Sequence, residues 1–298
     1  ELLVDRLELP RSEPNLSDWR RMVTRMRNTR NNVRIGIVGK YVELHDAYMS
    51  VKEALFHAAA AQDAHADIEW ISSTDLEKGK AWEHLHTVDA IVVPGGFGYR
   101  GVEGKILAGR YARENRIPYL GLCLGMQTMC IEFARHVIGL EDASSSEFET
   151  ASEHHIIDLM LEQRSVTDMG GTMRLGLYPC KLQPNSAARI AYGDQSLVQE
   201  RHRHRFEFNN RYRADFEKAG MRFSGVSPDD TLVEIAELVD HPFMVGSQFH
   251  PEFASRPDSP HPLFMGLIKA ALEHRKSAHQ ADAHTLITNA ATNDSAAE

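Results

Sequence analysis

At 298 residues, 42% hydrophobic and 25% charged, the chain has an ordinary globular composition and enough length to bury a substantial core. Its net charge of -9 argues against nucleic acid as a partner, and the short basic run Arg201–Arg205 does not overturn that. No apolar run reaches the roughly 18 residues of a membrane helix, no charged-then-apolar leader is visible, and the three cysteines suit neither a disulfide framework nor a zinc knuckle. A reducing, cytoplasmic setting is therefore expected.

The chain begins at Glu1 and not Met, and is read as a piece of a longer protein. Residues 1–31 are polar and basic, with Pro10, Pro14 and an amphipathic run Leu16–Met26, and are expected to be a linker ahead of the domain. The domain, residues 32–276, opens on the apolar run Val33–Val38, suited to a buried strand. Val51, Leu55 and Ala58 recur at helical spacing within Ala47–Gln62. Strands are predicted at Ile68–Ile71 and Asp89–Val93, then a helix over 102–115, a strand over Ile117–Leu122 and a helix from about Gly125. Strands alternating with helices imply an α/β fold, with a mainly parallel sheet covered by helices on both faces. Ligands bind such sheets at the carboxyl ends of the strands. Chemistry is therefore sought from Gly95 and from Cys123 onward.

Residues 142–172 are polar and irregular. From Gly171 to Val239 the pattern is strand-like, with one helix near 211–219. Met244–Phe249 reads as a further buried strand and His261–Lys276 as the last helix. Residues 277–298 lack periodicity and are expected to be a disordered tail.

Gly121-Leu122-Cys123-Leu124-Gly125 lies between a strand and a helix and has the Gly-x-nucleophile-x-Gly form of a nucleophile elbow. Such a turn leaves the sulfur at a helix N-terminus, whose dipole favours thiolate. Most cysteines are simply buried core residues, and Cys130 and Cys180, which lack flanking glycines, are read that way. A thiol nucleophile needs a base and a group to orient it. Gln248-Phe249-His250-Pro251-Glu252 follows an apolar strand, and residues two apart in extended backbone point to one side. Glu252 can then fix the tautomer of His250 while His250 takes the Cys123 proton. Most of the 16 histidines, among them His202 and His204, are read as surface, packing or hydrogen-bonding residues.

Gly96-Phe97-Gly98-Tyr99-Arg100-Gly101 satisfies G-x-G-x-x-G, but it follows the third strand and no acid closes the next strand to hold a ribose. Gly104-Lys105 fails as a P-loop, because Tyr99 stands where its first glycine belongs and Ile106 where Ser or Thr belongs. An oxyanion hole made by the N–H groups of Gly96 and Leu124 is the better reading.

These motifs resemble the class I (triad-type) glutamine amidotransferases. More narrowly, Gly39-Lys40-Tyr41, Gly95 through Gly104, Gly170 through Gly176 and Glu200 through Arg205 resemble the C-terminal amidotransferase domain of the CTP synthase family. The resemblance covers about residues 33–276. It implies that Cys123, His250 and Glu252 hydrolyse L-glutamine through a thioester. It further implies that Gly96, Leu124, Gln127, Glu147 and Arg205 hold the glutamine, and that GTP acts as an effector near Phe97 and Arg100. In that family the ammonia passes to a synthetase domain of the same polypeptide, which uses Mg and ATP to aminate UTP to CTP within a homotetramer. No cofactor or metal is expected in the amidotransferase domain itself. Another triad amidotransferase, a γ-glutamyl hydrolase or a catalytically silent binding module are the alternatives that stay open on the residues alone.

Overall fold

Nine strands join into one sheet that lies between two hydrophobic cores. The structure, a computed structural model, describes residues 2–11, 13–159 and 173–294. The parallel half comprises β1 (Asn31–Gly39), β2 (Ala64–Ser72), β3 (Ala90–Val93), β4 (Tyr119–Leu122) and β12 (Met244–Ser247). They lie in the order β2-β1-β3-β4-β12, and every neighbouring pair is parallel. Strand β2 is longer than its apolar stretch predicts because it pairs along the whole of β1, from Asn31 opposite Ala64 to Gly39 opposite Ser72. Strand β4 starts late because Pro118 has no N–H to give and the N–H of Ile117 is taken by the carbonyl of Ala112.

The sheet continues beyond β12 with β11 (Val233–Leu238), β10 (Met221–Val226), β7 (Arg174–Leu182) and β8 (Leu197–His204), each antiparallel to its neighbour. The expected α/β fold is therefore present, with the sheet mixed and its parallel strands grouped at one side. A small second sheet holds β5 (Ser144–Ser145), β6 (His155–Leu159) and β9 (Phe206–Phe208).

Helices cover both faces. On one side α3 (Met49–Ala61) and α10 (Pro262–Asp294) pack Val51, Leu55, Phe264, Leu267 and Ile268 against Val33, Ile35, Val92 and Leu120. On the other, α6 (Val102–Asn115), α7 (Leu124–Phe133) and α9 (Arg213–Ala219) pack Ile106, Met126, Met129 and Phe216 against Val38, Ile91, Val93 and Tyr119. Two short helices, α4 (Ser73–Glu77) and α5 (Trp82–Leu85), lie between β2 and β3. The five-residue α8 (Ala187–Ala191), capped by Ser186, stands within a stretch predicted as strand. The leading residues form α1 (Leu2–Arg6) and α2 (Ser17–Arg27), neither with a buried residue.

The last helix starts as predicted but runs to Asp294 and not to Lys276. Nothing after Gly266 in that span is Gly or Pro, so no residue breaks it. The tail expected to be disordered is thus helical to Asp294, and residues 295–298, like much of the irregular 142–172 stretch and Gly170–Thr172, lie outside the described residues. No helix among the described residues is long and apolar enough to cross a membrane.

Candidate active site

The carboxyl ends of β1, β3, β4 and β12 meet at one place and deliver Lys40, Gly95-Gly96, Cys123 and His250 to it. The elbow is formed by close packing. A Cβ on Gly121 would lie 2.6 Å from the carbonyl of Gly125, and one on Gly125 only 2.0 Å from the carbonyl oxygen of Val93. The left-handed residue is Cys123 itself, at φ 51° and ψ -102°. The glycines supply the clearance that a side chain would obstruct, and the nucleophile position carries the strain. The turn is pinned by Cys123 N–H donating to the Ser247 carbonyl at 2.7 Å, by Gln127 N–H donating to the Cys123 carbonyl at 3.1 Å, and by Tyr119 Oη donating to the Gly125 carbonyl at 2.9 Å.

His250 follows β12 and is held from two sides. Its N–H donates to the Arg201 carbonyl of β8 at 2.8 Å, and its Nδ1 lies 2.7 Å from Oε1 of the buried Glu252. Phe253 stacks on the ring with centroids 5.3 Å apart. Burial works to lower the ionisation of His250, but hydrogen bonds to Cys123 and Glu252 outweigh it and raise the value to about 10. A protonated imidazole facing Cys123 Sγ is the state this favours. The side-chain amide of Gln248 also approaches Sγ, with Nε2 at 3.6 Å.

A cavity of about 480 Å³ opens over Cys123 and is lined by Gly96, Phe97, Gln127, Glu147, Arg205 and His250 among others. Leu124 stands at the start of α7 beside Gly96, its Cδ2 3.4 Å from where a Gly96 Cβ would lie. Glu147 is half-buried, and its Oε1 accepts the N–H of Gly98 at 2.8 Å, which ties the glycine loop to the cavity wall. Burial raises the Glu147 ionisation against the opposing pull of that N–H, Lys40 and Arg205. Gln127 turns inward, donating from Nε2 to the Phe206 carbonyl and to Oε1 of Gln248 at 3.1 and 3.2 Å. Arg100 is not part of the lining; it stacks over Tyr41, 4.9 Å from the ring centroid.

Gly98 and Gly101 take left-handed φ of 72° and 75°, and a Cβ on Gly104 would sit 1.8 Å from the carbonyl oxygen of Ser73, where α6 crosses α4. Lys40 binds the carbonyl of Phe97 and reaches over the rings of Phe97 and Tyr41.

Sequence reasoning missed several neighbours of the cavity. His202 and His204 face inward from β8, with His202 Nδ1 2.8 Å from His204 Nε2. Carboxylates do lie near them: Glu234 Oε2 is 3.4 Å from His202 and Glu207 Oε1 3.3 Å from His204, with Arg174 bound to Glu234 at 2.7 Å. Those acids are remote in sequence, so only the β7-β8 pairing and the sheet bring them in. Burial is the main cause that lowers both histidines, His202 to about 2 and His204 to about 3, which keeps them neutral. Among the described residues no group of three or more His, Cys, Asp or Glu has metal-binding geometry. Cys130 and Cys180 are buried, with burial raising both thiols, as the core reading predicts.

Residues 43–270 match the glutamine amidotransferase class-I family, and the chain belongs to it. The chain is 59% identical to a CTP synthase of Chloroflexus aggregans over 273 residues, and 57% identical to a CTP synthase of Moorella thermoacetica over 270. These matches take in 92% and 91% of this chain and 50% of each relative, so the chain spans about half the length of the curated relatives it matches. A solved structure described as the Trypanosoma brucei CTPS glutaminase domain with bound acivicin superposes with a TM-score of 0.76 at 39% identity. That match covers 81% of this chain and 94% of the solved one, and it groups the chain with the CTP synthase glutaminase domains within the class.

Proposed function

We propose that the cavity over Cys123 hydrolyses L-glutamine. Cys123 Sγ attacks the side-chain amide carbon, and the oxyanion that forms accepts the N–H groups of Gly96 and Leu124. His250, oriented by Glu252, holds the thiol proton and passes it to the departing ammonia. Water then attacks the thioester with His250 as base, releasing glutamate and restoring the thiol. Glu147 supplies negative charge for the substrate α-ammonium and Arg205 positive charge near its carboxylate. The observation that carries this reading is that Cys123 and His250, the latter held by Glu252 at 2.7 Å, open on one cavity of about 480 Å³, which Glu147 and Arg205 also line.

In the longer protein the ammonia would feed a synthetase part that uses Mg and ATP to aminate UTP to CTP. This rests on the names of the relatives and on the half of their length that the chain does not span. GTP is the proposed effector, at the surface formed by Phe97 and Arg100 where Tyr41 and Lys40 cluster with them, and a homotetramer is the proposed full assembly.

Incubation with a diazo-ketone glutamine analogue tests the site. One adduct is expected, mapped to Cys123 and suppressed by excess glutamine, and Cys123→Ala is expected to abolish glutamine hydrolysis while leaving the thermal melt in place. An adduct on Cys130 or Cys180, or hydrolysis retained by the folded variant, would overturn the assignment.

A further inference from the structure

Lys105 is a lysine in the wrong place for a surface residue. It lies on the inward face of α6 with Val102, Ile106 and Gly109, and it is 1% exposed. Its Nζ donates to the Pro94 carbonyl at 2.8 Å. Among the described residues no carboxylate pairs with it, so a buried amine stands there without a carboxylate counterion. Were Lys105 only a spacer, an apolar side chain of equal length would fill the slot without the penalty of burying charge.

The position of the amine shows what it faces. Nζ lies 3.6 Å from where a Cβ on Gly96 would stand, directly under the turn whose N–H is the proposed oxyanion donor. Its bond to Pro94 also fixes the peptide that enters that turn. The group opposing its deprotonation is Cys123, while burial and Lys40 favour loss of the proton and bring its ionisation to about 7.

We propose that Lys105 is a positioning residue for the glutaminase reaction, its buried ammonium placing positive charge beneath the Pro94–Gly96 turn to stabilise the Cys123 thiolate and the oxyanion. The inference rests on the hydrolytic reading of the site given above. The charge acts through the backbone turn and through space; Lys105 itself does not touch the substrate. The charged and titratable groups around Cys123 are His250 with Glu252 behind it, Lys105 from α6 with Lys40 beyond, Glu207 from β9, and Glu147, Arg203, His204 and Arg205 in the cavity lining. Of these, Lys105 and Lys40 lie on the oxyanion side, and Lys105 is the fully buried one.

Glutamine hydrolysis by the unmodified chain is measured first, since its absence would remove the hydrolytic reading and not the thiol–amine coupling. The test then compares it with Lys105→Met. Cys123 alkylation by iodoacetamide, quantified by peptide mass to separate it from Cys130 and Cys180, is followed against pH. The rate–pH curve should move up by about one unit in the variant, a roughly tenfold slower reaction at neutral pH. The kcat for glutamine should fall by about tenfold or more with KM changed less than about threefold, the pattern of an interaction made in the transition state. A folded variant with an unchanged alkylation curve and unchanged kcat would overturn the proposal, since a purely structural lysine would alter neither. Should Lys105→Met fail to fold, the unmodified chain still decides. Coupling is reciprocal, so neutralising the thiolate with iodoacetamide should lower the ionisation of the Lys105 amine, read by heteronuclear NMR of Nζ. No movement of that resonance's titration would overturn the proposal equally.

Discussion

A Cβ on Gly95 would lie 2.9 Å from Cε1 of His250 and 3.5 Å from Cβ of Cys123. The first distance is too short for the ring to stay where it is, and the ring is the movable partner. Gly95→Ala should therefore push the imidazole off line while β3 and β4 keep their pairing. Because a displacement of about 1 Å at a reacting centre can cost about a hundredfold, kcat for glutamine should drop by about that factor with the melting temperature little changed. Steady-state kinetics beside a thermal melt checks it, and a collapse of the fold instead would show that the turn has no slack. Residues of this kind were partly legible. Cys123, His250 and Glu252 were readable because their partners sit within two residues or beside a strand–helix glycine pair. Lys105 was noticed only as a failed P-loop lysine, although a Lys between Val102 and Ile106 on an apolar helix face was the available signal. Gln248 stood in the same short motif as His250, two residues before it in extended backbone, and was passed over.

Elements are locked to one another by groups that work only in one protonation state, and the β11–β12 connection is a clear case. His241 Nε2 lies 3.1 Å from the carbonyl of Ala112 at the end of α6, while its Nδ1 accepts the N–H of Phe243 at 3.3 Å. Both contacts together require the neutral ring protonated on Nε2. Burial, opposed by the bond to Ala112, lowers its ionisation from 6.5 to about 4. Between these values the unfolded chain binds a proton that the folded chain does not, so His241 makes stability rise with pH and fall on acidification. The slope is worth about 1.4 kcal/mol per pH unit for one proton. His241→Gln should remove one proton's worth of that slope between about pH 6.5 and 4; urea titrations of both proteins across the window measure it. The other titrating groups, including the buried His202 and His204, are common to both proteins and cancel in the difference. An unchanged slope would mean that His241 is not held neutral.

The parallel strands were legible because each contains a short apolar run beside a helix, although in β2 that run marks only part of the strand. The antiparallel half was harder, because β8 alternates Glu200, His202 and His204 inward against exposed Gln199, Arg201 and Arg203, so its inward face is polar. No hydrophobic pattern marks such a strand. Its partners, Arg174 and Glu234, are contributed by β7 and β11.

At the scale of the whole chain, the leading residues differ in kind from the rest. Helices α1 and α2 bury no side chain, and α2 stands over α3 across a cavity of about 620 Å³ lined by Trp19, Met22, Ala60 and Pro257. Their polar ties within the arm, such as Arg11 to Asp5, are exposed. The first ties into the sheet are the N–H groups of Arg30 and Asn31, both donating to the Asp63 carbonyl at 3.2 Å, immediately before β1 pairs with β2. Exposed ion pairs contribute about 0–1 kcal/mol, and about 1 kcal/mol moves the melting temperature of a domain this size by roughly 2–4 °C. A chain starting at Thr29 should therefore melt within a few degrees of the original and label Cys123 with the diazo-ketone at an unchanged rate. Limited proteolysis should cut within residues 7–16 and near Asn28 before it cuts the sheet, because those segments have little buried backbone to protect them. A melting temperature lowered by more than about 10 °C would require over 2 kcal/mol from α2. It would mean that Trp19 and Met22 cover α3 more completely than a cavity of that size allows.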